Sequence, residues 1–381
     1  MELGVFMMPL HPPGKPIAQS YDEDAELLIL ADELGYREAW IGEHATMAWE
    51  NIPAPDQFIA RVAPFTKQMR FGIGVVLMAQ HHPANTANRI AQLDHLTKGR
   101  INFGAGTGNI STDLELFGID GAGGLPGIML FRALDIILTL WTQDPPYDMP
   151  GQFWPIRVRN PQPDIGLGGP LKPYQQPHPP IGLPGMGGQS RLLFTAGERG
   201  WMPMSSNLPH RRHLRGHWEQ ISKGAEKGGR APDRSAWRIC REVYVDETTE
   251  AARDFARRGS MGRGFRDYFL RMFAKNGQLG LFKASDDVPA SDVTLDYVLD
   301  NLCLIGSPDD VARQLRELYI YTGGFGTLLM IAHDWDDPER WKRSMRLLAT
   351  EVMPRLADLT RQDFDRGDPL AAGHAGPGSR K

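Results

Sequence analysis

The chain has few cysteines and no excess of positive charge, and each shortage excludes a class of protein. Its 381 residues include two cysteines, Cys240 and Cys303. They cannot form a disulfide framework or a cysteine-rich zinc site, and we expect two buried thiols rather than one long-range disulfide. Lys plus Arg number 42 and Asp plus Glu number 46, which gives a formal net charge of −4. Without a basic excess to displace counterions, no nucleic-acid partner is expected.

The sequence also lacks the usual targeting and membrane signals. The first residues, MELGVFMMPLHPPG, contain no basic region, and their apolar run stops at Pro9, unlike a signal peptide. No run of about 18 apolar residues is evident, so we expect no membrane span and no membrane partner. These features predict a cytoplasmic protein.

Hydrophobic residues, glycine and proline are plentiful. The hydrophobic content of 41% is enough for a full core. The 42 glycines and 30 prolines exceed average usage, and much of the excess lies in 121–187. This distribution predicts a rigid scaffold that carries long loops.

Short apolar segments alternate with amphipathic helical segments along the chain. The predicted strands are Leu3–Met8, Glu38–Gly42, Met69–Met78, Ile101–Ala105, Pro180–Leu183, Trp201–Ser205, Trp237–Val245 and Phe325–Ile331. This alternation favours parallel strands joined by right-handed crossovers, and eight such units close an α/β fold of the (β/α)8 TIM-barrel type. An open doubly wound sheet is the alternative. That fold typically has a GxGxxG motif after the first strand, and Pro9–Gly14 does not contain one.

The predicted organisation is one barrel domain over 1–365, with insertions at about 121–180 and 260–300. Residues 366–381 are predicted to be a disordered tail. A small hairpin is predicted within 151–160, and a helix over Ser307–Tyr321 with Ser307 as its N-cap. The stretch Gly262–Phe282 contains several aromatic residues, and it is either a lid that excludes water or an extra packed helix or dimer contact.

In a TIM barrel, functional residues lie at the carboxyl ends of the strands. Glu43 and His44 follow the second predicted strand. Histidine titrates near neutral pH, and a neighbouring carboxylate can set its tautomer, so this pair is a candidate general acid or base. A structural histidine is the alternative.

Two glycine-rich loops also follow predicted strands. Residues 104–109 read GAGTGN, and residues 185–190 read GMGGQS immediately before a predicted helix. Glycine lets backbone N–H groups approach an anion, and a helix N-terminus adds a favourable dipole. The second loop is therefore either a phosphate cradle or an ordinary turn.

The other histidine clusters do not predict a metal site. His81 and His82 are adjacent, so their side chains point apart on a strand, and no carboxylate lies at ligand spacing. His210, His213 and His217 share one helix face, but the surrounding arginines favour a solvated basic face instead. Those arginines are Arg211, Arg212 and Arg215.

Three segments together resemble one known family. They are EAWIGEHATMAWENIPAPDQFIA (38–60), GIGVVLMAQHHPANTANRIAQLDHLTKGRINFGAGTGN (72–109) and DLELFGID (113–120). The sequence resembles the bacterial luciferase-like flavin-dependent monooxygenase family over about residues 1–360, and within it the limonene-monooxygenase-type branch. The resemblance implies an α/β barrel that takes reduced FMN from a separate NAD(P)H:flavin reductase. It further implies that O₂ and a flavin hydroperoxide oxygenate a hydrophobic or aromatic substrate, and that the protein forms a homodimer through the helices after the second and third strands.

The resemblance also implies roles for individual residues. His44 matches the catalytic histidine, with Glu43 beside it, and a non-proline cis peptide matches Gly74–Val75. The cofactor-binding positions implied are Gly74, Val75, Gly106, Thr107, Gly108, Gly187, Gly188, Gln189 and Ser190. An apolar substrate wall is expected from Met7, Met8, Trp49, Met186 and Trp335.

Two positions depart from true luciferases. Those enzymes carry a reactive cysteine where this chain has Gly106 and an arginine where it has Thr107, so light emission from an aldehyde is not expected. Arg132 in the following helix could supply the missing charge. The competing readings are a deazaflavin-dependent oxidoreductase performing hydride transfer, a non-catalytic flavin-binding barrel and a metal-dependent hydrolase barrel.

Overall fold

Eight parallel strands close a barrel in the computed structural model, which describes residues 1–108 and 110–360. The barrel strands β1 to β8 are Glu2–Met7, Glu38–Ile41, Arg70–Leu77, Ile101–Gly106, Ile181–Gly185, Met202–Ser205, Arg238–Arg241 and Thr327–Ile331. Their order around the barrel follows the sequence, with β8 next to β1. The predicted (β/α)8 TIM barrel is therefore confirmed, and each predicted barrel strand overlaps an observed one.

Helices follow the barrel strands along the chain, at least one after each strand. They are α1 Ile17–Glu33, α2 Pro55–Val62, α3 Pro83–Leu96, α4 Ser111–Leu116, α5 Leu125–Thr142, α6 Arg191–Arg199, α7 Arg212–Lys227, α8 Thr249–Arg258, α9 Ser260–Arg263, α10 Leu270–Lys275, α11 Leu295–Asn301, α12 Pro308–Thr322 and α13 Pro338–Leu347. Ser307 caps α12 as predicted, because its hydroxyl accepts a hydrogen bond from the N–H of Asp310 at 3.3 Å.

The sequence prediction was wrong about where one strand ends, and it placed one hairpin a few residues too far along the chain. The predicted strand Trp237–Val245 ends as β7 at Arg241, and Val243–Val245 pairs instead with Leu304–Gly306 in a separate two-stranded sheet. The sequence of this segment, WRICREVYV, does not reveal such a change of partner. The hairpin pairs Tyr147–Met149 with Ile156–Val158, so its first strand precedes the predicted range.

One tryptophan fills the space beside three glycines of neighbouring strands. A Cβ atom on Gly72 in β3 would lie 2.3 Å from the Trp40 ring, one on Gly182 in β5 2.8 Å, and one on Gly104 in β4 3.1 Å. Trp40 is fully buried in β2. The large side chain of one strand is thus accommodated because its neighbours have none.

Gly72→Ala is expected to destabilise the protein by about 2–3 kcal/mol or more, because the new methyl overlaps a ring that cannot move in a close-packed core. Gly127→Ala is the matched control: Gly127 lies in α5 with nothing within 4 Å of a built Cβ, so alanine there should be neutral or stabilising by about 0.5–1 kcal/mol. Urea unfolding measures both. Equal stability of the two variants would contradict this account of the core.

Residue contacts divide the chain into two compact units. The N-terminal unit comprises Phe6–Glu33 and Arg37–Pro184, and the C-terminal unit comprises Met1–Val5, Leu34–Tyr36 and the chain from Gly185 onward. The single domain over 1–365 with two insertions remains a prediction, and the predicted tail, 366–381, lies outside the described residues.

Both cysteines are buried free thiols, as expected. One helical segment, Ala122–Thr142, has 21 residues and a mean hydropathy of 1.5, enough by length and composition to cross a membrane, although Arg132 and Asp135 interrupt its apolar run. Within it, the Trp141 indole donates a hydrogen bond to the carbonyl of Ala87 in α3 at 3.0 Å. Core helices of soluble proteins meet the same criterion, so one such helix is weak evidence of a span.

Candidate functional site

His44 follows β2 in the N-terminal unit and is held by a carboxylate from α4. Its Nδ1 lies 2.9 Å from Oδ2 of Asp113, and its Nε2 lies 3.5 Å from Oε2 of Glu50. The other oxygen of Asp113 accepts hydrogen bonds from the backbone N–H and the hydroxyl of Thr46, at 2.8 and 2.5 Å. Asp113 is therefore fixed on both oxygens, and it sets the orientation of the imidazole ring.

Three carboxylates determine the charge of this histidine. Burial by itself lowers the pKa of His44, but the charges of Glu50, Asp113 and Glu43 and the hydrogen bond to Asp113 raise the pKa above the ordinary 6.5. Burial raises the pKa of Asp113, but the hydrogen bonds from His44 and Thr46 outweigh it, so its pKa is lowered. The structure thus favours an imidazolium paired with a carboxylate.

Asp113→Asn is expected to lower the pKa of His44, because the substitution removes one of the charges that stabilise the imidazolium. At pH values between the two pKa values, the ring is charged in the wild type and neutral in the variant. An NMR titration of the His44 ring measures the shift. Glu115→Gln, on the exposed side of α4, is the control, and an unchanged His44 titration in Asp113→Asn would contradict the coupling.

Glu43 does not contact the imidazole of His44 in the way that their adjacency suggests. The carboxylate of Glu43 is buried and pairs with Nε2 of His81. Successive side chains of an extended segment point to opposite sides, so neighbours in sequence acquire different partners. Glu43 affects His44 through its charge, while Asp113 sets the hydrogen bond.

The remaining predicted positions of the N-terminal unit lie at the ends of β3 and β4. The Gly74–Val75 peptide bond is cis, as the resemblance implied. A Cβ on Gly106 would lie 2.3 Å from Cγ2 of Val75, so no side chain fits there. Thr107 is partly buried, and Gly108 has a φ of 69°, which favours glycine. Asn109, the last residue of the predicted loop, lies outside the described residues.

The glycine-rich loop Gly187–Ser190 precedes α6 in the C-terminal unit. Ser190 caps that helix, since its hydroxyl accepts from the N–H of Leu193 at 3.3 Å. Gly187 and Gln189 are exposed, and Gly188 is partly buried. A Cβ on Gly187 would meet nothing within 4 Å, so open space adjoins the backbone at the start of the loop.

A buried histidine fixes this loop, and sequence reasoning assigned it otherwise. The Trp237 indole donates to the Ser205 hydroxyl at 2.9 Å, and that hydroxyl lies 2.8 Å from Nδ1 of His217. Nε2 of His217 then lies 3.0 Å from the carbonyl of Gly187. Burial lowers the pKa of His217 to about 4, so the ring is neutral and its Nε2–H can donate to that carbonyl.

The predicted solvated face of three histidines is therefore wrong. His217 and His210 are buried, and His213 is partly buried. His213 and His217 lie on α7, whereas His210 precedes the start of that helix, so the three do not share one helix face. The Arg132 guanidinium donates to the carbonyl of Pro150 at 2.7 Å, and its expected contribution of charge to the flavin phosphate remains a prediction.

The predicted apolar residues differ in exposure. In the N-terminal unit, Met7 is fully buried while Met8 and Trp49 are partly buried. In the C-terminal unit, Met186 is partly buried and Trp335 is buried, with the ammonium of Lys342 5.1 Å from its ring centroid.

The stretch Gly262–Phe282 matches the packed-helix alternative. Its chain runs through a π-helix over Gly264–Phe269 into α10. Phe265, Phe269 and Phe273 are all buried. Tyr268 contacts Phe269, with ring centroids 4.8 Å apart. A hydrophobic core of this kind gives the segment a structural role.

Sequence reasoning missed two sets of polar residues. Asp113 and Glu50 lie near His44. The only sign of them in the sequence was that each is a carboxylate within one of the segments quoted above, 113–120 for Asp113 and 38–60 for Glu50. In the C-terminal unit, Nε2 of His333 at the end of β8 lies 2.5 Å from Oε2 of Glu242, and Asn207 donates to the other oxygen of Glu242 at 2.8 Å. The position of His333 after the last predicted strand can be read from the sequence, but its pairing with Glu242 cannot.

Comparisons with known proteins identify the family. The luciferase-like monooxygenase family matches residues 1–325. The chain is 30% identical to 2,5-diketocamphane 1,2-monooxygenase 1 of Pseudomonas putida, over 93% of this chain and 99% of the relative. Limonene 1,2-monooxygenase of Rhodococcus erythropolis is 29% identical, over 93% of this chain and 87% of the relative.

A solved structure agrees with these relatives. It is the oxygenating constituent of 3,6-diketocamphane monooxygenase of Pseudomonas putida, described as a type II Baeyer–Villiger monooxygenase in complex with FMN. It superposes with a TM-score of 0.87 at 31% identity and covers 93% of this chain and 98% of that chain. The resemblance drawn from the sequence motifs is confirmed: this chain belongs to the luciferase-like monooxygenase family and is a flavin-dependent monooxygenase.

Proposed function

We propose that this chain is the oxygenating component of a two-component monooxygenase that uses reduced FMN and O₂ to insert one oxygen atom into a hydrophobic ketone. The observation that carries the proposal is the His44–Asp113 pair at the end of β2 in a barrel of this family. Ketone oxygenation of the Baeyer–Villiger type is favoured over epoxidation or hydroxylation because the solved relative at 31% identity is described as such an enzyme.

The residues present fit a flavin. Gly106 leaves the end of β4 without a side chain, because a Cβ there would overlap Val75, and a glycine backbone permits the close approach of a ligand. We assign Gly74, Val75, Gly106, Thr107 and Gly108 to the ring. In the C-terminal unit, the loop Gly187, Gly188, Gln189 and Ser190 would hold the phosphate by backbone N–H groups and the Ser190 hydroxyl, since it opens α6.

The bound flavin supplies the activation of oxygen, and the chain's own residues control protons and water. Asp113, Glu50 and Glu43 stabilise the cationic form of His44 by raising its pKa, and His44 would hold a proton at Nε2 for the oxygen-transfer step. Glu43 is a positioning residue that acts through its charge. We assign substrate contacts to Met8 and Trp49 in the N-terminal unit and, separately, to Met186 and Trp335 in the C-terminal unit, because apolar side chains suit a hydrophobic substrate.

The test supplies photoreduced FMN, ¹⁸O₂ and a panel of cyclic ketones and alkenes to the purified protein. We expect an ester or lactone that contains one labelled oxygen atom. An epoxide from the alkenes alone would replace the ketone assignment. Binding of a deazaflavin with hydride transfer to substrate, or flavin binding with every substrate unchanged, would overturn the proposal in favour of the two rival functions.

Partners and location follow from the same proposal. A separate NAD(P)H:flavin reductase would supply reduced FMN, consistent with the solved relative being only the oxygenating constituent of its enzyme. We propose a cytoplasmic homodimer that forms through α2 and α3. Phe65, in the turn after α2, is 68% exposed and Leu96, at the end of α3, is 64% exposed, and exposed large apolar side chains favour an interface.

A further inference from the structure

A cavity of about 310 Å³ lies in the C-terminal unit, apart from every residue assigned above to flavin or substrate. It lies between the start of α7, the end of α11, the strand Leu304–Gly306 and α12. Its lining combines four arginines with a group of apolar side chains. The arginines are Arg211, Arg241, Arg253 and Arg313.

Two of the four arginines are neutralised by carboxylates at the cavity. Arg253 pairs with Asp300. Arg313 pairs with Glu317 at 3.1 Å and with Asp310 at 3.0 Å. Arg211 and Arg241 form no such ion pair with the described residues. The lining therefore carries an excess of positive charge, and the neighbouring His210 adds none near neutral pH, because burial and the adjacent arginines lower its pKa to about 4.

Arg241 is the decisive residue, because it is buried and only partly satisfied. The residue is 3% exposed to solvent. Its Nη1 donates to the carbonyls of Cys240 at 2.9 Å and Asn207 at 3.3 Å. Its Nη2 is buried and has no hydrogen-bond partner among the described residues. The carboxylate of the adjacent Glu242 contacts His333 and Asn207 instead of forming an ion pair with this guanidinium.

A buried guanidinium with an unused N–H group is costly, and an anion in the cavity would remove that cost. The apolar part of the lining, contributed by residues such as Leu299, Leu302 and Leu318, would contact an apolar body. We propose that this cavity binds a small organic anion whose carboxylate or phosphate group contacts Arg241 and whose apolar body packs against these leucines.

Isothermal titration calorimetry on the full-length protein saturated with FMN tests the proposal. The probes are cyclohexanecarboxylate, cyclohexyl phosphate and the neutral cyclohexanecarboxamide. We expect at least one anion to bind at one site per chain, and the amide to bind at least tenfold more weakly. The tighter of the two anions identifies the head group. Arg241→Gln should weaken anion binding at least tenfold, while FMN binding stays unchanged.

Arg253→Gln is the matched control, because it removes an arginine of the same cavity whose charge Asp300 already neutralises. We expect its anion affinity to remain within about threefold of the wild type. If Arg241→Gln does not fold, Asn301→Trp is tested in its place. Asn301 is exposed at the cavity, and the indole should obstruct the entry of the anion. The proposal is overturned if neither anion binds, if the amide binds equally well, or if anion affinity survives Arg241→Gln or, in its place, Asn301→Trp.

Discussion

His44→Ala is expected to lower the rate of product formation by about 100-fold or more, with FMN binding unchanged. General acid–base catalysis by a positioned side chain is worth about 10²–10⁴-fold. In the structure, Asp113 orients the imidazole at 2.9 Å, and three carboxylates raise its pKa and so favour the cationic form. Without it, the reduced cofactor still reacts with oxygen, but the oxygen consumed should be released as hydrogen peroxide instead of entering the substrate.

The measurement is the ratio of product formed to hydrogen peroxide released, together with FMN affinity. His95→Ala is the control, because His95 is an exposed histidine of the same unit and should leave the ratio unchanged. A merely structural His44 predicts a parallel loss of FMN binding and product. Normal product yield from His44→Ala would sink the proposed role outright.

Gly187→Glu is expected to weaken FMN binding by about 100-fold while leaving riboflavin affinity within about threefold. Gly187 is exposed, a Cβ there meets nothing within 4 Å, and its backbone is outside the left-handed region. A glutamate side chain can therefore be added without disturbing the fold. Its negative charge would repel a phosphate held by the loop, and charges about 4 Å apart at an effective dielectric constant of 20 interact by about 4 kcal/mol.

Gly187→Gln is the matched control, since it adds nearly the same volume without charge. Fluorescence titration of both flavins with both variants separates charge from shape. If Gly187→Glu weakens FMN and riboflavin equally, the effect is steric and the phosphate lies elsewhere. If it weakens neither, this loop does not bind the flavin.

The sequence by itself determined the barrel and the family. Eight strands could be predicted because each is a short apolar run flanked by helices with clear periodicity, and those signals are local. The glycines beside Trp40 show the same consistency, since Gly72, Gly104 and Gly182 stand in successive predicted strands. The motif around Glu43 and His44 marked the end of β2, where the chemistry of such a barrel lies.

Only the tertiary structure decided which groups are partners. Asp113 is 69 residues from His44 in sequence, and it displaced the adjacent Glu43 as the group that orients the ring. The sequence could not predict that His217 is buried against Ser205, or that Nη2 of Arg241 has no hydrogen-bond partner among the described residues. In each case the pKa and the hydrogen bonds of a side chain depend on atoms within a few ångströms in space, whereas sequence periodicity reports only which face of its own element a residue occupies.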